Sequence, residues 1–166
     1  LAQLGLGKYA DAATAFQKQL AANPADDTVN NLLGIALYDE KKYDDAAAVF
    51  KKQLALKPLD PNAYAYLGAV YIDQKRFDEA VIQLEKAVVL DPDNSAVRLR
   101  LGQAYLGVGK TDAALGAFDK AASLSPSPLI WNQIAYDLAE HDVALDRAEH
   151  YANLTVDSTE ALVRNV

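Results

Sequence analysis

The residues with the most direct chemical potential are the eight from Ala104 to Thr111, which read "AYLGVGKT". A small residue, four residues of any kind and then Gly109, Lys110 and Thr111 fit the loose pattern of a nucleotide-binding P-loop. Such a loop holds phosphates on its backbone N–H groups only where a buried strand leads into it and a helix begins at its Lys-Thr end. The elements around this segment therefore decide whether it could bind a nucleotide.

Histidine, cysteine and serine give little further indication of a reactive site. His141 and His150 are nine residues apart and the chain has no Cys, so neither a metal-ligand pair nor a thiolate site is indicated. No serine lies in the Gly-x-Ser-x-Gly pattern of a nucleophile elbow. Carboxylates are plentiful, but a general acid or base needs an enclosed pocket that tunes its pKa. We therefore predict no enzyme activity, no metal and no cofactor.

The segment "DPDNS", from Asp91 to Ser95, is a second candidate for ligand binding. It has some likeness to a calcium-binding loop, yet Ala96 stands where such a loop needs Gly and Gln103 where it needs Glu. We interpret Asn94 or Ser95 instead as the N-cap of a following helix.

Composition limits the class of partner. The 166 residues are 51% hydrophobic, which is enough for one continuous core. The formal net charge of −7 repels phosphate backbones, so we expect no nucleic acid partner. The sequence has no run of 18 apolar residues, which predicts no membrane insertion. Because the absence of Cys fits cytoplasm and periplasm alike, localisation stays open between the two.

The chain repeats itself at a constant interval. Leu-Gly pairs recur at this interval, at Leu33-Gly34, Leu67-Gly68 and Leu101-Gly102. Three further sets keep the same step: Ala12, Ala46, Ala80, Ala114 and Ala148; Pro24, Pro58, Pro92 and Pro126; and Phe16, Phe50, Leu84 and Phe118. Self-similarity at a fixed interval is the signature of a protein built from stacked copies of one unit.

Each unit has the spacing of two amphipathic helices. Between Asn62 and Gln74 apolar residues recur at i, i+3, i+4 and i+7, which predicts a helix with one packed face. A second such run extends from Asp78 to Leu90 and ends before Pro92, which cannot continue a helix. The turn between them lies at residues 75–77. Each unit is thus predicted to be a helical hairpin, in which Gly68 allows the two helices to approach closely.

The repeat places the P-loop-like segment in a predicted helix and the turn that follows it. Ala104 and Tyr105 fall inside a predicted helix, and no strand precedes the segment. The equivalent turns read "GKY", "KKY" and "KRF", so "GKT" is one variant of a hairpin turn. We predict that Gly109 supplies a left-handed C-cap and that Thr111 starts the next helix.

These residues resemble the tetratricopeptide repeat, a unit of about 34 residues that places a large residue, Leu-Gly, Tyr, Ala, Phe and Pro at fixed offsets. Residues 61–94 match it with Tyr64, Leu67, Gly68, Tyr71, Ala80, Leu84 and Pro92. The resemblance implies an all-α fold, an α-solenoid in which stacked antiparallel hairpins form a right-handed superhelix. One array would span residues 1–166, as a truncated repeat at 1–26, repeats at 27–60, 61–94 and 95–128, and a divergent repeat at 129–158.

Both ends of the array depart from the pattern. Residues 1–26 are expected to supply the end of a first helix, the turn "GKY" and a second helix, which suggests a piece of a longer protein. In the last repeat, Ala148 is in phase but the first-helix positions come one residue early, which predicts an extra residue in the loop around 142–145. Residues 159–166 are expected to begin a further helix from Ser158-Thr159-Glu160, or alternatively to cap the array. The one-residue shift is carried by Trp131, Ile134, Ala135 and Leu138.

The resemblance also implies where a partner would bind, because the first helices of such repeats line a concave groove that holds peptides or a partner's helix. Tyrosine and carboxamide side chains suit this role, since one offers ring area and the other both donates and accepts hydrogen bonds. Packing between neighbouring repeats is the alternative role for any one of these residues. The residues expected in the groove are Asn31, Ile35, Tyr38, Asn62, Tyr66, Asp73, Leu99, Arg100, Gln103, Asn132 and Tyr136.

One subtype of the family grips the C-terminal carboxylates of heat-shock chaperones with Lys, Asn, Asn, Lys and Arg. At the corresponding offsets this chain has Asn31, Ile35, Tyr66, Ala96 and Arg100, so only the arginine matches. We therefore expect no carboxylate clamp, but a mixed apolar and amide groove with one cation.

The function implied by the resemblance is a protein–protein interaction scaffold with a protein or peptide partner. The alternative is a structural spacer or self-association module of a larger protein, with a possible homo-oligomer formed through exposed ends near Leu1 and Leu162.

Overall fold

The computed structural model describes the backbone of residues 2–164 and the side chains of residues 8–160. Over residues 2–164 the chain forms nine helices and no strand, which confirms the predicted all-α fold. It divides into two compact units, an N-terminal unit, Leu1–Pro92, and a C-terminal unit, Asp93–Val166. The N-terminal unit contains α1 (Ala2–Ala22), α2 (Asp27–Asp39), α3 (Tyr43–Leu56), α4 (Pro61–Asp73) and α5 (Phe77–Leu90). The C-terminal unit contains α6 (Ser95–Gly107), α7 (Thr111–Leu124), α8 (Pro128–Glu140) and α9 (Leu145–Arg164).

Successive helices pack as hairpins, α2 with α3 and α4 with α5 in the N-terminal unit, and α6 with α7 and α8 with α9 in the C-terminal unit. In each hairpin we call the earlier element the first helix and the later one the second helix. The predicted pairing of two amphipathic helices per repeat is therefore confirmed, with boundaries within one residue of those predicted for α4 and α5.

Each first helix begins at a polar side chain that caps it. Asp26, Asp60 and Asn94 accept a hydrogen bond from the backbone N–H three residues later, at 3.0, 3.1 and 3.1 Å. Ser127 does the same at 3.5 Å. Such caps satisfy N–H groups that the first turn leaves without a partner. The first three caps keep the interval of the repeat and Ser127 comes one residue early, as predicted for the last repeat.

The turns inside the hairpins contain a residue with left-handed backbone geometry. Lys41, Lys75 and Gly109 have φ angles of 61°, 60° and 73°. The predicted C-cap at Gly109 is confirmed, and α7 begins at Thr111 as expected. The segment "AYLGVGKT" thus joins two helices, and the strand that a P-loop requires is replaced by α6.

The last hairpin turn is longer than the others. Three residues connect the helices in the earlier hairpins, for example residues 108–110, whereas four residues, 141–144, separate α8 from α9. Asp142 and Ala144 both have positive φ angles, 53° and 48°. The extra residue predicted for this loop is confirmed.

A glycine of each Leu-Gly pair meets a large buried side chain of the second helix. A Cβ atom on Gly34 would lie 2.6 Å from Cε1 of Phe50, and one on Gly68 would lie 2.5 Å from Cγ of Leu84. These distances are too short for any real Cβ contact, so only glycine allows the two helices to pack at this separation. The three pairs are Gly34 with Phe50, Gly68 with Leu84 and Gly102 with Phe118.

Two local expectations, one near each end of the chain, differ from the structure. The turn expected at residues 7–9 does not form, because α1 is continuous from Ala2 to Ala22. Residues expected to form the end of one helix and the start of another thus lie in a single helix.

The helix start expected at Ser158 to Glu160 also does not occur. These residues lie inside α9, and the Thr159 hydroxyl donates to the Val156 carbonyl at 2.8 Å within the helix. No Gly or Pro interrupts the segment from Leu145 to Arg164, so nothing ends the helix there. Leu162, expected near an exposed end, lies outside the residues whose side chains are described.

Candidate partner-binding surface on the first helices

In the N-terminal unit, the first helices α2 and α4 contact each other. Two predicted groove residues, Asn31 on α2 and Asn62 on α4, line one cleft of about 740 Å³. Asn62 is exposed and Asn31 is half-buried. The cleft also includes Asp60, the cap of α4, and Lys57, which forms an ion pair with Asp27 at the start of α2. The structure therefore brings amide and carboxylate groups together at this junction between hairpins.

Asp60 accepts four hydrogen bonds, two of which come from the preceding hairpin of α2 and α3. Its Oδ2 accepts from Nδ2 of Asn31 at 3.1 Å and from Nε2 of Gln53 at 3.0 Å. Its Oδ1 accepts from the backbone N–H groups of Asn62 and Ala63, at 3.0 and 3.1 Å. Burial acts to raise the pKa of Asp60, but these hydrogen bonds favour the ionised form more strongly and the pKa is lowered. The carboxylate is thus a structural junction, and Asn31 is held by it.

Aromatic rings form the other end of the α2 and α4 surface. The Tyr66 ring stacks on Phe50 at a centroid distance of 5.3 Å and an interplanar angle of 5°. Tyr38 meets the same ring edge-on at 6.3 Å. Both tyrosines are half-buried. Tyr66 therefore contributes to packing between hairpins, and a substitution there would affect stability as well as any bound partner.

The remaining two predicted residues of this unit differ in exposure. Asp73 is exposed at the end of α4, whereas Ile35 is half-buried on α2. Asp73 is thus accessible to a partner, while Ile35 offers only part of its surface.

The C-terminal unit contains a buried carboxylate that is not among the predicted groove residues. Asp137 on α8 is 6% exposed. Its Oδ2 accepts from Nε2 of Gln103 on α6, and its Oδ1 from Nε2 of Gln133, both at 2.9 Å. Gln103, predicted in the groove, is therefore tied to the neighbouring hairpin. The helical position of Asp137 could have indicated its burial, because Asp137 lies on the apolar stripe that contains Ile134 and Leu138.

Burial raises the pKa of Asp137, and the hydrogen bonds from Gln103 and Gln133 and the charge of His141 only partly oppose this effect. A group whose pKa is raised by folding binds its proton more tightly in the native state. Its contribution to stability therefore falls as the pH rises from the unfolded value through the raised native pKa.

We accordingly expect Asp137→Asn to raise the free energy of unfolding at pH 7.5 by about 1 kcal/mol, because it removes a buried charge and leaves a group that the glutamines can bond. Urea unfolding followed by circular dichroism should show a smaller gain at pH 4.5. The matched control is Asp157→Asn on the exposed part of α9, for which we expect little change. An equal gain for Asp137→Asn at both pH values would contradict the role assigned to burial.

The other predicted residues of the C-terminal unit differ in exposure. Asn132 is exposed and Tyr136 is 59% exposed. Arg100 is half-buried, and Leu99 packs against the hydrophobic core of this unit. Leu99 therefore serves mainly in packing, which is the alternative role predicted for the residues expected in the groove. That all eleven residues face one partner stays a prediction.

Within residues 2–164, no helix combines the length and the apolar character needed to cross a membrane. The described side chains also include no group of three or more His, Asp or Glu residues arranged to hold a metal ion.

Family models match successive parts of the chain. Models described as tetratricopeptide repeat match residues 1–61, 37–88 and 95–128, and one described as TPR repeat matches residues 68–109. Among curated proteins, no significant match was found.

Solved structures with this fold include several of MamA. A crystal structure of MamA is 24% identical, covers 95% of this chain and 92% of its own, and superposes with a TM-score of 0.81. MamA 41-end from Desulfovibrio magneticus RS-1 is 25% identical with the same coverage and a TM-score of 0.80. A structure of MamA AMB-1 is 26% identical, covers 95% of this chain and 89% of its own, and gives a TM-score of 0.71. The helical arrangement of this chain is thus similar to theirs.

Proposed function

This chain belongs to the tetratricopeptide repeat family, a family of protein-interaction scaffolds, and we propose that it binds a peptide segment or a partner protein on the surfaces of its first helices. The family supports the general role. The exposed side chains of α8 support a specific binding surface most directly.

The first helix α8 carries an exposed stripe with apolar and aromatic character. Leu129, Asn132 and Tyr136 lie at i, i+3 and i+7, so they share one face of the helix. Leu129 is 78% and Tyr136 is 59% exposed, although Ile130, Ile134 and Leu138 on the other face are buried. A tyrosine ring offers a large contact area and a polar tip, which makes it a common anchor in interfaces.

We expect Asn132→Ala with Tyr136→Ala to reduce the retention of a partner at least tenfold while leaving the circular dichroism spectrum unchanged. The wild type and this variant would be immobilised, exposed to lysate of the source organism, and compared by quantitative mass spectrometry. Tyr136 is preferred to Tyr66 for this test because Tyr66 stacks on Phe50, so its loss would confound binding with packing.

The matched control is Val156→Ala, which removes a side chain of similar exposure, 51%, from the second helix α9. It should retain the same partner as the wild type. A partner held equally by the wild type and by the Asn132 and Tyr136 variant would count against recognition by this stripe. Sedimentation velocity at several concentrations tests the alternative role in self-association, since a strict monomer would contradict it.

A further inference from the structure

Charge is segregated between the first and second helices of the N-terminal unit. The first helices α2 and α4 contain three acidic residues, Asp27, Asp39 and Asp73, and no Lys, Arg or His. The second helices α3 and α5 carry both signs, with Lys51 and Lys86 among their bases. The first helices of this unit therefore present negative charge without any cation of their own.

Two of these carboxylates have no counter-ion among the described side chains. Asp27 pairs with Lys57, but none of the ion pairs formed by these side chains involves Asp39 or Asp73. Asp73 is exposed and Asp39 is half-buried, so both remain accessible. An unpaired carboxylate on a partner-binding surface is a preferred position for a positive charge from the partner.

Aromatic rings cluster on the same helices as these carboxylates, since Asp39 follows Tyr38 on α2 and Asp73 lies seven residues after Tyr66 on α4. The Tyr38 ring is 5.9 Å from that of Tyr43 and 6.3 Å from that of Tyr66. Burial and the negative charge of Asp73 both raise the pKa of Tyr43. The faces of aromatic rings attract Lys and Arg side chains, and a neighbouring carboxylate adds to that attraction.

The two side chains that donate to Asp60 at the other end of α2 and α4 also have buried acceptor atoms that receive no hydrogen bond. The Oδ1 atom of Asn31 is buried and has no hydrogen-bond partner among the described atoms. The same holds for Oε1 of Gln53, whose side chain is fully buried beside Asp60. An unsatisfied buried acceptor is stabilised by any N–H group that reaches it. Ammonium groups, guanidinium groups and the peptide backbone all provide such N–H donors.

Building on the proposed function, we propose that the face formed by Tyr38, Asp39, Tyr66 and Asp73, here termed the acidic face, binds a basic protein segment that contains Lys or Arg. The carboxylates supply the charge complement and the tyrosines supply ring contacts to the aliphatic and cationic parts of these side chains. The acidic face thus selects partners by charge.

A displayed library of random 12-residue peptides tests this inference without knowledge of the natural partner. We expect peptides selected on the intact chain to be enriched in Lys and Arg about twofold over the starting library. In Asp39→Asn with Asp73→Asn the enrichment should be lost, and the affinity of a selected peptide should fall about fivefold, as expected for two accessible charge pairs.

A matched control is needed because a chain with a net charge of −7 attracts basic peptides at long range. Asp93→Asn with Asp157→Asn changes the net charge by the same amount at exposed positions outside the acidic face. It should retain the enrichment and change the affinity less than twofold. If both double variants lose the enrichment and the affinity to the same extent, the acidic face does not recognise the basic residues of the peptide.

The remaining outcomes separate this inference from the proposed function. Peptides that are selected without any preference for basic residues would overturn the inference and leave peptide binding by the first helices intact. If no peptide of any charge is enriched, both the inference and the peptide-binding form of the proposed function fail.

Discussion

Gly102→Ala should lower the free energy of unfolding by about 3 kcal/mol, because the added methyl group would overlap the ring of Phe118. Phe118 is fully buried in the core of the C-terminal unit, so its ring cannot move aside without disturbing its neighbours. The helices α6 and α7 would have to separate, and the packing of the hairpin would be lost along much of their contact. Urea unfolding followed by far-ultraviolet circular dichroism measures the effect.

Gly116→Ala is the matched control, since it makes the same chemical change in the same unit. Gly116 lies inside α7 and is exposed, and a Cβ atom there meets no atom within 4 Å. Alanine has the higher helix propensity, so we expect this variant to be more stable than the wild type by about 0.5–1 kcal/mol. Two glycine-to-alanine changes in one hairpin should thus have opposite signs. If Gly102→Ala lowered the free energy of unfolding no more than a typical surface substitution, the close approach of α6 and α7 would not be required for stability.

The glycine contact illustrates what the sequence could predict. Leu-Gly at a constant interval implied that the two helices of a hairpin approach closely, but only the structure shows that Leu84 is the side chain that meets Gly68. Two other kinds of feature could be predicted from the sequence for the same reason. The helix caps at Asp60 and Asn94 repeat at the regular interval, and the extra residue near Asp142 interrupts it. Periodicity therefore predicts elements, their order and the apolar faces between them.

Other features depend on interactions that no local pattern contains. The period indicates that Gln103 and Asp137 lie on neighbouring first helices, but only coordinates show that their side chains meet at 2.9 Å. Tyr66 was predicted in the groove and also stacks on Phe50, since a ring at that position reaches the preceding hairpin. At residues 7–9 the repeat pattern predicted a turn, whereas the structure has one continuous helix, α1. The sequence thus predicted which helices form the candidate site. It did not predict which of their side chains pack in the interior and which are exposed to a partner.

The second large effect is expected at the junction between hairpins in the N-terminal unit. Asp60→Ala should lower the free energy of unfolding by about 3 kcal/mol, because it removes the cap of α4 and two side-chain hydrogen bonds. The amides of Asn31 and Gln53 would then each lose their hydrogen-bond acceptor. Gln53 is fully buried, so water cannot easily replace the lost carboxylate. Equilibrium unfolding in urea at pH 7 is the appropriate measurement.

Asp26→Ala is the matched control, because Asp26 occupies the same cap position one repeat earlier. Its carboxylate accepts one backbone hydrogen bond, from Val29 at 3.0 Å, and no side chain donates to it in the described structure. Loss of a simple N-cap costs about 1 kcal/mol. The difference between the two variants therefore measures what the Asn31 and Gln53 hydrogen bonds, together with the second backbone hydrogen bond from Asn62, add to a simple cap. Equal losses would mean that these additional bonds contribute nothing beyond capping.

The pH dependence gives an independent test of the same junction. Folding lowers the pKa of Asp60 below its ordinary value of 3.8, because the hydrogen bonds to the ionised form outweigh the opposing effect of burial. The resulting stabilisation is fully present above pH 3.8 and is lost as the pH falls toward the lowered native pKa. The wild type should therefore lose more stability than Asp60→Ala between pH 5 and pH 3, so that the two unfolding free energies converge in acid. A difference that stays constant over this range would show that the Asp60 charge is not what joins the hairpins, and that the loss in the variant comes from packing alone.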